Sequence, residues 1–268
     1  MRSIRNKYLL VGLLFFQLFY SCKKVINVDL KNAATQTVIT GEITNQAGPY
    51  QVIISKSVNY TSDNIYQPVS GALVIIAGNG VIDTLTETMA GTYSTHTLTG
   101  KPGSSYSLYV AIGTQKYTAT SVMPQPVTLD SIGFTTGRNT TDLNAIAYFQ
   151  DPINVVNNYQ FIEFNNGKRF SNGRGTTVFS DRLSDGRYIN RTLYDDSTNI
   201  KSGDLLTLQM KCVDQPVYDY LNELLQVSGG GRGGFSSSNP GNPTSNIIGG
   251  ALGYFTANTI STKNSIVH

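Results

Sequence analysis

The residues that most often carry catalysis are scarce in this 268-residue chain, which holds two His and two Cys. A Ser/His/Asp or Cys/His site would have to use His96, because the second histidine, His268, is the last residue. His96 lies in a Thr-rich segment, STHTLTG, that is typical of a β-hairpin. No pair of His or Cys residues has the spacing of a transition-metal site. We therefore predict that the protein is not an enzyme and that it holds no metal and no cofactor.

Two polar segments imitate ligand-binding motifs without completing them. Residues 195–199 (DDSTN) begin like a calcium loop, but Ile200 stands where the loop needs Gly and Leu206 where it needs Glu. Residues 229–234 (GGGRGG) fit G-x-G-x-x-G, yet they follow a predicted helix, whereas a dinucleotide site needs the motif after a strand. We interpret both segments as loops. Carboxylate pairs for glycoside hydrolysis stay open, because residues distant in sequence can meet in a β-sandwich.

Tyr60 and Tyr66 are the candidate ligand contacts. They flank a polar segment, TSDNI. A Tyr side chain can stack on a sugar or pack against a peptide while its hydroxyl forms a hydrogen bond. The alternative is that one tyrosine belongs to a strand edge and the other anchors a loop.

The N-terminus carries the features of an export signal. Three basic residues within the first seven positions precede a 13-residue apolar run, YLLVGLLFFQLFY, which is too short to span a bilayer. Ser21 and Cys22 follow, and a small residue directly before Cys is what lipoprotein signal peptidase requires. We therefore predict a signal peptide over residues 1–21 and attachment to a membrane through lipid on Cys22. The alternative is an ordinary cleaved signal that leaves Cys22 as an unpaired thiol.

The formal charge of +3 belongs to that export segment. Three of the 20 Lys and Arg residues lie within residues 1–21, which contain no acid. The rest of the chain therefore has 17 basic side chains against 17 Asp and Glu. A neutral balance gives no support to a nucleic-acid partner, and we predict none.

Short β-branched runs alternate with turn signals after the lipid-anchored tether predicted over residues 22–35. The runs TVITGEIT, YQVIIS, ALVIIA, YSLYVAI and KYTATSV all occur before residue 123. Gly-Asn-Gly at 78–80 is a favourable hairpin turn, since Asn and Gly tolerate positive φ. This spacing predicts a β-sandwich domain over residues 36–124.

The second half of the chain begins after a Pro-rich break, MPQP, at residues 123–126. Strand patterns resume there, and we predict a second β-rich domain over 127–268. One amphipathic helix is expected after the N-cap Asp214, because apolar residues follow at helical spacing from Val217. The Gly- and Ser-rich segment 228–245 is predicted to be a flexible loop, either functional or disordered. Two closing strands are expected at residues 246–255 and 261–267.

Several short segments occur in an order that is typical of one protein family. They are VINVDL at 25–30, VITGEIT at 38–44, GPY at 48–50, PVSGA at 68–72, GTY at 91–93, YTATS at 117–121, and SNI at 245–247 followed by Gly250, Leu252, Gly253, Tyr254 and Phe255. In this order the chain resembles an uncharacterised (domain-of-unknown-function) family of Bacteroidota-type outer-membrane lipoproteins, often encoded beside TonB-dependent receptors. The resemblance implies an Ig-like or transthyretin-like first domain, a second β-rich domain and an accessory role in nutrient uptake. It supplies no catalytic residue.

The expected function is therefore that of a non-catalytic outer-membrane lipoprotein that binds a ligand or assists a TonB-dependent transporter. Two alternatives stay open: an adhesion or envelope-scaffolding protein, and a carbohydrate-active enzyme. Lys23 and Lys24 follow Cys22, where surface-exposed lipoproteins of such bacteria tend to carry acids. Both the periplasmic and the outer face of the membrane are therefore open as the location.

Overall fold

The computed structural model describes residues 34–58, 66–137, 143–170, 176–193, 200–227 and 241–268. The described residues form 17 β-strands and one α-helix, which confirms the predicted mainly β class with a single amphipathic helix. Residues 35–268 make up one compact unit.

The strands, in chain order, are β1 Thr37–Thr44, β2 Gln51–Lys56, β3 Gln67–Pro68, β4 Leu73–Gly78, β5 Val81–Thr84, β6 Thr86–Met89, β7 Thr92–Ser94, β8 Ser105–Ile112, β9 Gln115–Val122, β10 Ser131–Thr136, β11 Leu143–Gln150, β12 Asn158–Asn165, β13 Lys168–Arg169, β14 Thr176–Ser180, β15 Tyr188–Leu193, β16 Leu205–Val213 and β17 Leu252–Ile266. Helix α1, Gln215–Val227, lies between β16 and β17.

The first half of the chain folds into two sheets that share a core, because its strands alternate buried and exposed residues. Every second residue of β1 is buried, and β9 follows the same rule. Strands β1, β2, β3, β6 and β7 belong to one sheet, while β5, β4, β8 and β9 form a four-stranded sheet. Residues from both sheets meet in the first core, which includes the fully buried Ile39, Ile54, Ile76 and Tyr106. This is the sandwich arrangement expected for this part of the chain.

The second half has its own core, between a three-stranded sheet and part of the large sheet. Strands β10, β11 and β15 pair with one another, whereas β12 pairs with β14 and β16. Phe149 on β11, Phe161 on β12 and Met210 on β16 are fully buried in this second core. Six consecutive residues of β12 are buried, and α1 packs against β12 as well as β14. The helix therefore contributes to the burial of this strand.

One long strand joins the two halves. β17 pairs in parallel with β1 and antiparallel with β16, so that a single ten-stranded sheet runs through both halves. Gly253 permits the parallel pairing, because a Cβ there would lie 2.1 Å from the carbonyl oxygen of Ile39. The closing segment forms one 15-residue strand, where two were expected.

The two cores follow the predicted domains along most of the chain and share its C-terminal segment. The first core takes most of its residues from 39–123, and the second takes most of its residues from 127–213. Four residues near the C-terminus also pack into the first core: Ile247, Ala251, Phe255 and Ala257. Val267 instead packs into the second core. The limits 36–124 and 127–268 stay predictions, with the C-terminal segment contributing to both cores.

Helix α1 begins where the sequence predicts it. Asp214 Oδ1 accepts a hydrogen bond from the backbone N–H of Val217 at 3.4 Å, as an N-cap does. Its Oδ2 accepts bonds from the Ser121 hydroxyl at 2.7 Å and the Val122 N–H at 3.0 Å. The cap therefore ties the helix to β9, and burial raises the pKa of Asp214 despite these donors. Within the described ranges, no helix is both long and apolar enough to cross a membrane.

Candidate functional site

Several of the residues singled out from the sequence lie outside the described residues. Cys22, Tyr60 and positions 228–240 of the predicted loop are among those not described. Tyr66 lies directly before β3, and its side chain is 60% exposed. Lipidation of Cys22 and ligand contact by Tyr60 and Tyr66 therefore stay predictions.

His96 lies in a chain of hydrogen bonds with an acid and a hydroxyl. Its Nδ1 is 3.1 Å from Asp83 Oδ1, and its Nε2 is 2.9 Å from the hydroxyl of Thr86. An acid, an imidazole and a hydroxyl in this order are the parts of a nucleophilic triad. Strand β5 carries Asp83, β6 begins at Thr86, and the chain returns through β7 to His96.

The backbone around Asp83 indicates a structural role for this carboxylate. Its Oδ2 accepts the backbone N–H groups of His96, Thr97 and Leu98 at 2.8–3.0 Å. Burial alone would raise the pKa of Asp83, but these donors and the imidazole lower it to about 2. We therefore assign Asp83 and His96 to the turn that follows β7, which the carboxylate holds closed.

A second group of carboxylates lies where two crossovers between sheets meet. One crossover runs from β11 to β12 and begins with Asp151; the other runs from β14 to β15 and contains Asp181 and Asp185. Because β12 pairs with β14 and β11 pairs with β15, both crossovers lie at the same end of their sheets. One carboxylate oxygen from each Asp lies within 4.8 Å of the other two. We call these three residues the acidic cluster.

Neutral donors hold the two buried members of the acidic cluster. Asp151 accepts the hydroxyl of Tyr159 at 2.5 Å and the N–H of Gly186 at 2.9 Å, one on each oxygen. Asp181 Oδ2 accepts the N–H of Asn157 at 2.9 Å. Both carboxylates are almost fully buried, with exposures of 1% for Asp151 and 0% for Asp181. Burial, followed by the bond to Asp151, raises the pKa of Tyr159, so this hydroxyl stays a donor.

The other oxygen of Asp181 has no donor among the described residues. Oδ1 of Asp181 is buried, and no N–H or O–H group of the described part of the chain bonds to it. Burial raises the pKa of Asp181 and the neighbouring carboxylate of Asp151 raises it further, against the N–H of Asn157, which lowers it. The third member, Asp185, lies at the surface and accepts the N–H of Asn154 at 3.1 Å.

No Lys or Arg side chain pairs with the acidic cluster in the described part of the chain. The ion pairs found there join Asp83 to His96 and Glu42 to Lys211. The acidic cluster therefore presents oxygen atoms and negative charge, an arrangement that binds a proton or a cation.

Exposed aliphatic side chains lie on the same two crossovers as the acidic cluster. They are Ile153, Val155 and Val156 on the first crossover and Leu183 on the second, where Leu183 is 94% exposed. The crossovers touch, because a Cβ on Gly186 would lie 2.9 Å from the side chain of Ile153. We call these four side chains the apolar tip.

Sequence reasoning missed both the acidic cluster and the apolar tip. Asp151 and Asp181 are about 30 positions apart and match no metal or catalytic spacing. The one available signal was general: acids distant in sequence can meet in a sandwich. The calcium-like segment considered from the sequence, residues 195–199, lies outside the described residues.

Comparison with curated proteins finds no match for this chain. Comparison with protein families matches residues 23–264 to the family described as Domain of unknown function (DUF4249). The match names no reaction, and it begins at the residue after Cys22. Because it covers most of the sequence and both cores, the chain belongs to the DUF4249 family.

Proposed function

We propose that this protein is a non-catalytic lipoprotein of the outer membrane that serves as a binding or accessory component of TonB-dependent uptake. One observation carries the proposal. A basic start, a short apolar run and Ser21-Cys22 occur in order, and the family domain follows from residue 23. This is the arrangement of a folded domain attached to a membrane by lipid on its first residue.

The apolar tip supplies the contact surface in this proposal. Its four aliphatic side chains lie on two crossovers that hydrogen bonds and packing hold together. Contiguous exposed apolar surface is a feature of protein-binding sites, and in this proposal the four side chains form such a surface. The partner proposed for the tip is the TonB-dependent transporter itself, which lies in the membrane to which Cys22 would attach the chain.

The non-catalytic character is part of the proposal. The triad-like arrangement at His96 has a structural explanation, because the oxygens of Asp83 accept three backbone N–H groups and the imidazole and so hold the turn closed. Half of the His96 side chain is exposed to solvent, where water competes for its protons. An incubation of the protein with glycans and esters is expected to show no turnover.

Co-purification from detergent-solubilised outer membrane tests the accessory role. The tagged full chain is expected to recover a TonB-dependent transporter, identified by mass spectrometry. The double variant Leu183→Ser and Val156→Ser is expected to recover at least about tenfold less. Ile82→Ser, at a 77% exposed aliphatic residue on β5, is the matched control and should recover as much as the wild type.

Two results would count against this proposal. Equal recovery by the tip variant and the Ile82→Ser control would remove the apolar tip from the interaction and leave the transporter as partner. Recovery of crosslinked copies of this chain without a transporter would favour the scaffolding alternative. The anchor is tested separately with Cys22→Ser, which is expected to leave the membrane fraction.

A further inference from the structure

The acidic cluster poses an electrostatic problem that the described residues do not solve. Asp151 and Asp181 lie side by side, almost fully buried, and no described Lys or Arg pairs with them. Moving a carboxylate away from water is costly unless a counter-charge or enough donors replace the water. Together the two would carry a charge of −2, which one divalent cation would neutralise.

The buried oxygen of Asp181 is a second and independent observation. In most proteins a buried polar atom has a hydrogen-bond partner, and one without a protein partner is explained by a bound water, an ion or a proton. Oδ1 of Asp181 is such an atom. Its carboxylate also supplies one of the three oxygens that lie within 4.8 Å of one another.

We propose that Asp151, Asp181 and Asp185 bind a divalent cation of the calcium class and that this cation ties the two crossovers together. The donor set consists of oxygen only, which suits hard cations and not zinc or copper. Two oxygens on opposite sides of Ca²⁺ are at most about 5 Å apart, so the observed limit of 4.8 Å needs little movement. Mg²⁺ would need a tighter arrangement, with ligands about 2.1 Å from the ion. The inference does not rest on the proposed function.

The alternative occupant is a proton shared between Asp151 and Asp181. The two occupants differ in how calcium affects stability at different pH values. A cation competes with protons for carboxylates, so its effect on stability should be largest near neutral pH and should fade as the solution becomes acidic. A shared proton would leave stability unaffected by calcium at neutral pH, where the proton still occupies the pair.

Thermal unfolding of the full chain, purified in detergent and stripped with EDTA, provides the first measurement. Millimolar Ca²⁺ at pH 7.5 is expected to raise Tm by about 3 °C or more, and Mg²⁺ by less. Asp181→Asn is expected to abolish the rise. Asp185→Asn, at an exposed position that leaves the fold intact, should require at least about tenfold more Ca²⁺ for the same rise.

Asp204→Asn is the matched control. Asp204 is a half-buried Asp whose oxygens accept the side-chain amides of Asn165 and Asn166 and the N–H of Lys201. Because its donors are sufficient, the calcium response of this variant should equal that of the wild type. An equal loss in this variant and in Asp185→Asn would overturn the site.

Terbium luminescence provides the second measurement, because a tyrosine close to bound Tb³⁺ sensitises its emission. The Tyr159 hydroxyl is 2.5 Å from Asp151 Oδ1, so excitation of tyrosine should produce Tb³⁺ emission. Added Ca²⁺ should displace Tb³⁺ and reduce this emission. Tyr159→Phe should lose most of the emission while keeping a calcium-dependent rise in Tm. The proposal would be overturned if Ca²⁺ did not change the Tm of the wild type, or if Asp181→Asn left the Tb³⁺ emission unchanged.

Discussion

Asp83 and Asp181 are both buried carboxylates, and their partners differ. Asp83 accepts three backbone N–H groups and the imidazole of His96. Asp181 accepts the N–H of Asn157 and has a second carboxylate, Asp151, as its neighbour. The pKa of Asp83 is accordingly lowered to about 2, whereas that of Asp181 is raised. The number of donors, more than the depth of burial, decides which carboxylate keeps its charge.

The chain topology explains the difference between these two regions. Asp83 lies in a local structure, where the turn after β7 brings consecutive N–H groups to one carboxylate. Asp181 lies on one of two crossovers that bring its carboxylate within 4.8 Å of an oxygen of Asp151 and of Asp185. Asp83 therefore stabilises the fold by itself, whereas the acidic cluster favours the binding of a proton or a cation.

Removing the carboxylate of Asp83, which has a full set of donors, should have the largest effect on stability. Asp83→Ala is expected to lower the free energy of unfolding by about 3 kcal/mol, because it strands a buried N–H at Leu98 and loosens the turn. Urea unfolding at pH 7 measures the change. Asp204→Ala, at a half-buried Asp whose oxygens also have donors, should lower the free energy of unfolding by less than Asp83→Ala does. A smaller loss at Asp83 than at Asp204 would contradict the comparison.

Removing a donor from the acidic cluster should have the next largest effect. Tyr159→Phe is expected to cost about 2 kcal/mol when EDTA is present, since a buried, charge-assisted hydrogen bond to Asp151 is lost. The ring stays, so packing against Phe149, 4.8 Å away between centroids, is preserved. Urea unfolding measures the loss, and a cost below a few tenths of a kcal/mol would mean that water replaces the hydroxyl.

Neutralising Asp181 should change stability in the opposite direction. In EDTA at pH 8, Asp181→Asn is expected to raise the free energy of unfolding by about 1 kcal/mol, because it removes a buried charge and can donate an amide hydrogen to Asp151. Urea unfolding tests this sign. A loss of stability comparable to that of Asp83→Ala would show that Asp181 is already satisfied.

The effect of pH on the stability difference from the wild type should also differ in sign between Asp181→Asn and Asp83→Asn. The raised pKa of Asp181 means that its charge destabilises the folded protein at high pH and that protonation relieves this cost as pH falls. The stability advantage of Asp181→Asn over the wild type should therefore shrink as the solution becomes acidic. Asp151, on the other crossover, and Asp185, on the same one, are the charged groups that face Asp181. Asp83 behaves in the reverse way. The stability advantage of the wild type over Asp83→Asn should persist down to about pH 3.8 and disappear toward pH 2.

The smallest effect is expected at the exposed end of the Asp83 network. His96→Ala should cost about 0.5 kcal/mol, because the imidazole is half exposed and Asp83 keeps its backbone donors. Thermal unfolding at pH 7 measures it. A cost as large as that of Asp83→Ala would mean that the imidazole, and not the turn, satisfies the carboxylate.

Local features of the fold were predictable because their signals are local. The alternation of β1 and the cap at Asp214 both appear in the structure as expected. Helix α1 buries Val217 and Leu221, two of the positions that the helical spacing selected. Each of these features depends on residues within one turn or one strand of each other.

The pairing of β17 was not predictable in the same way. Its residues read as two strands of the second domain, yet one strand pairs with β1 at the far end of the chain. Phe255 is buried in the first core for that reason. Pairing between strands that are more than 200 positions apart depends on the whole sheet, and no short pattern encodes it.

The sequence alone determined a mainly β chain with one capped helix, an even balance of basic and acidic side chains after residue 21 and an N-terminus typical of export. Periodicity, capping and charge are properties of neighbouring residues. Only the tertiary structure decided that Asp151 meets Asp181 and Asp185. Their meeting depends on β12 pairing with β14 and β11 with β15, which places two distant crossovers at one end of the sheets. Burial without enough donors then follows from that placement, and so does the affinity for a cation that we infer for the acidic cluster.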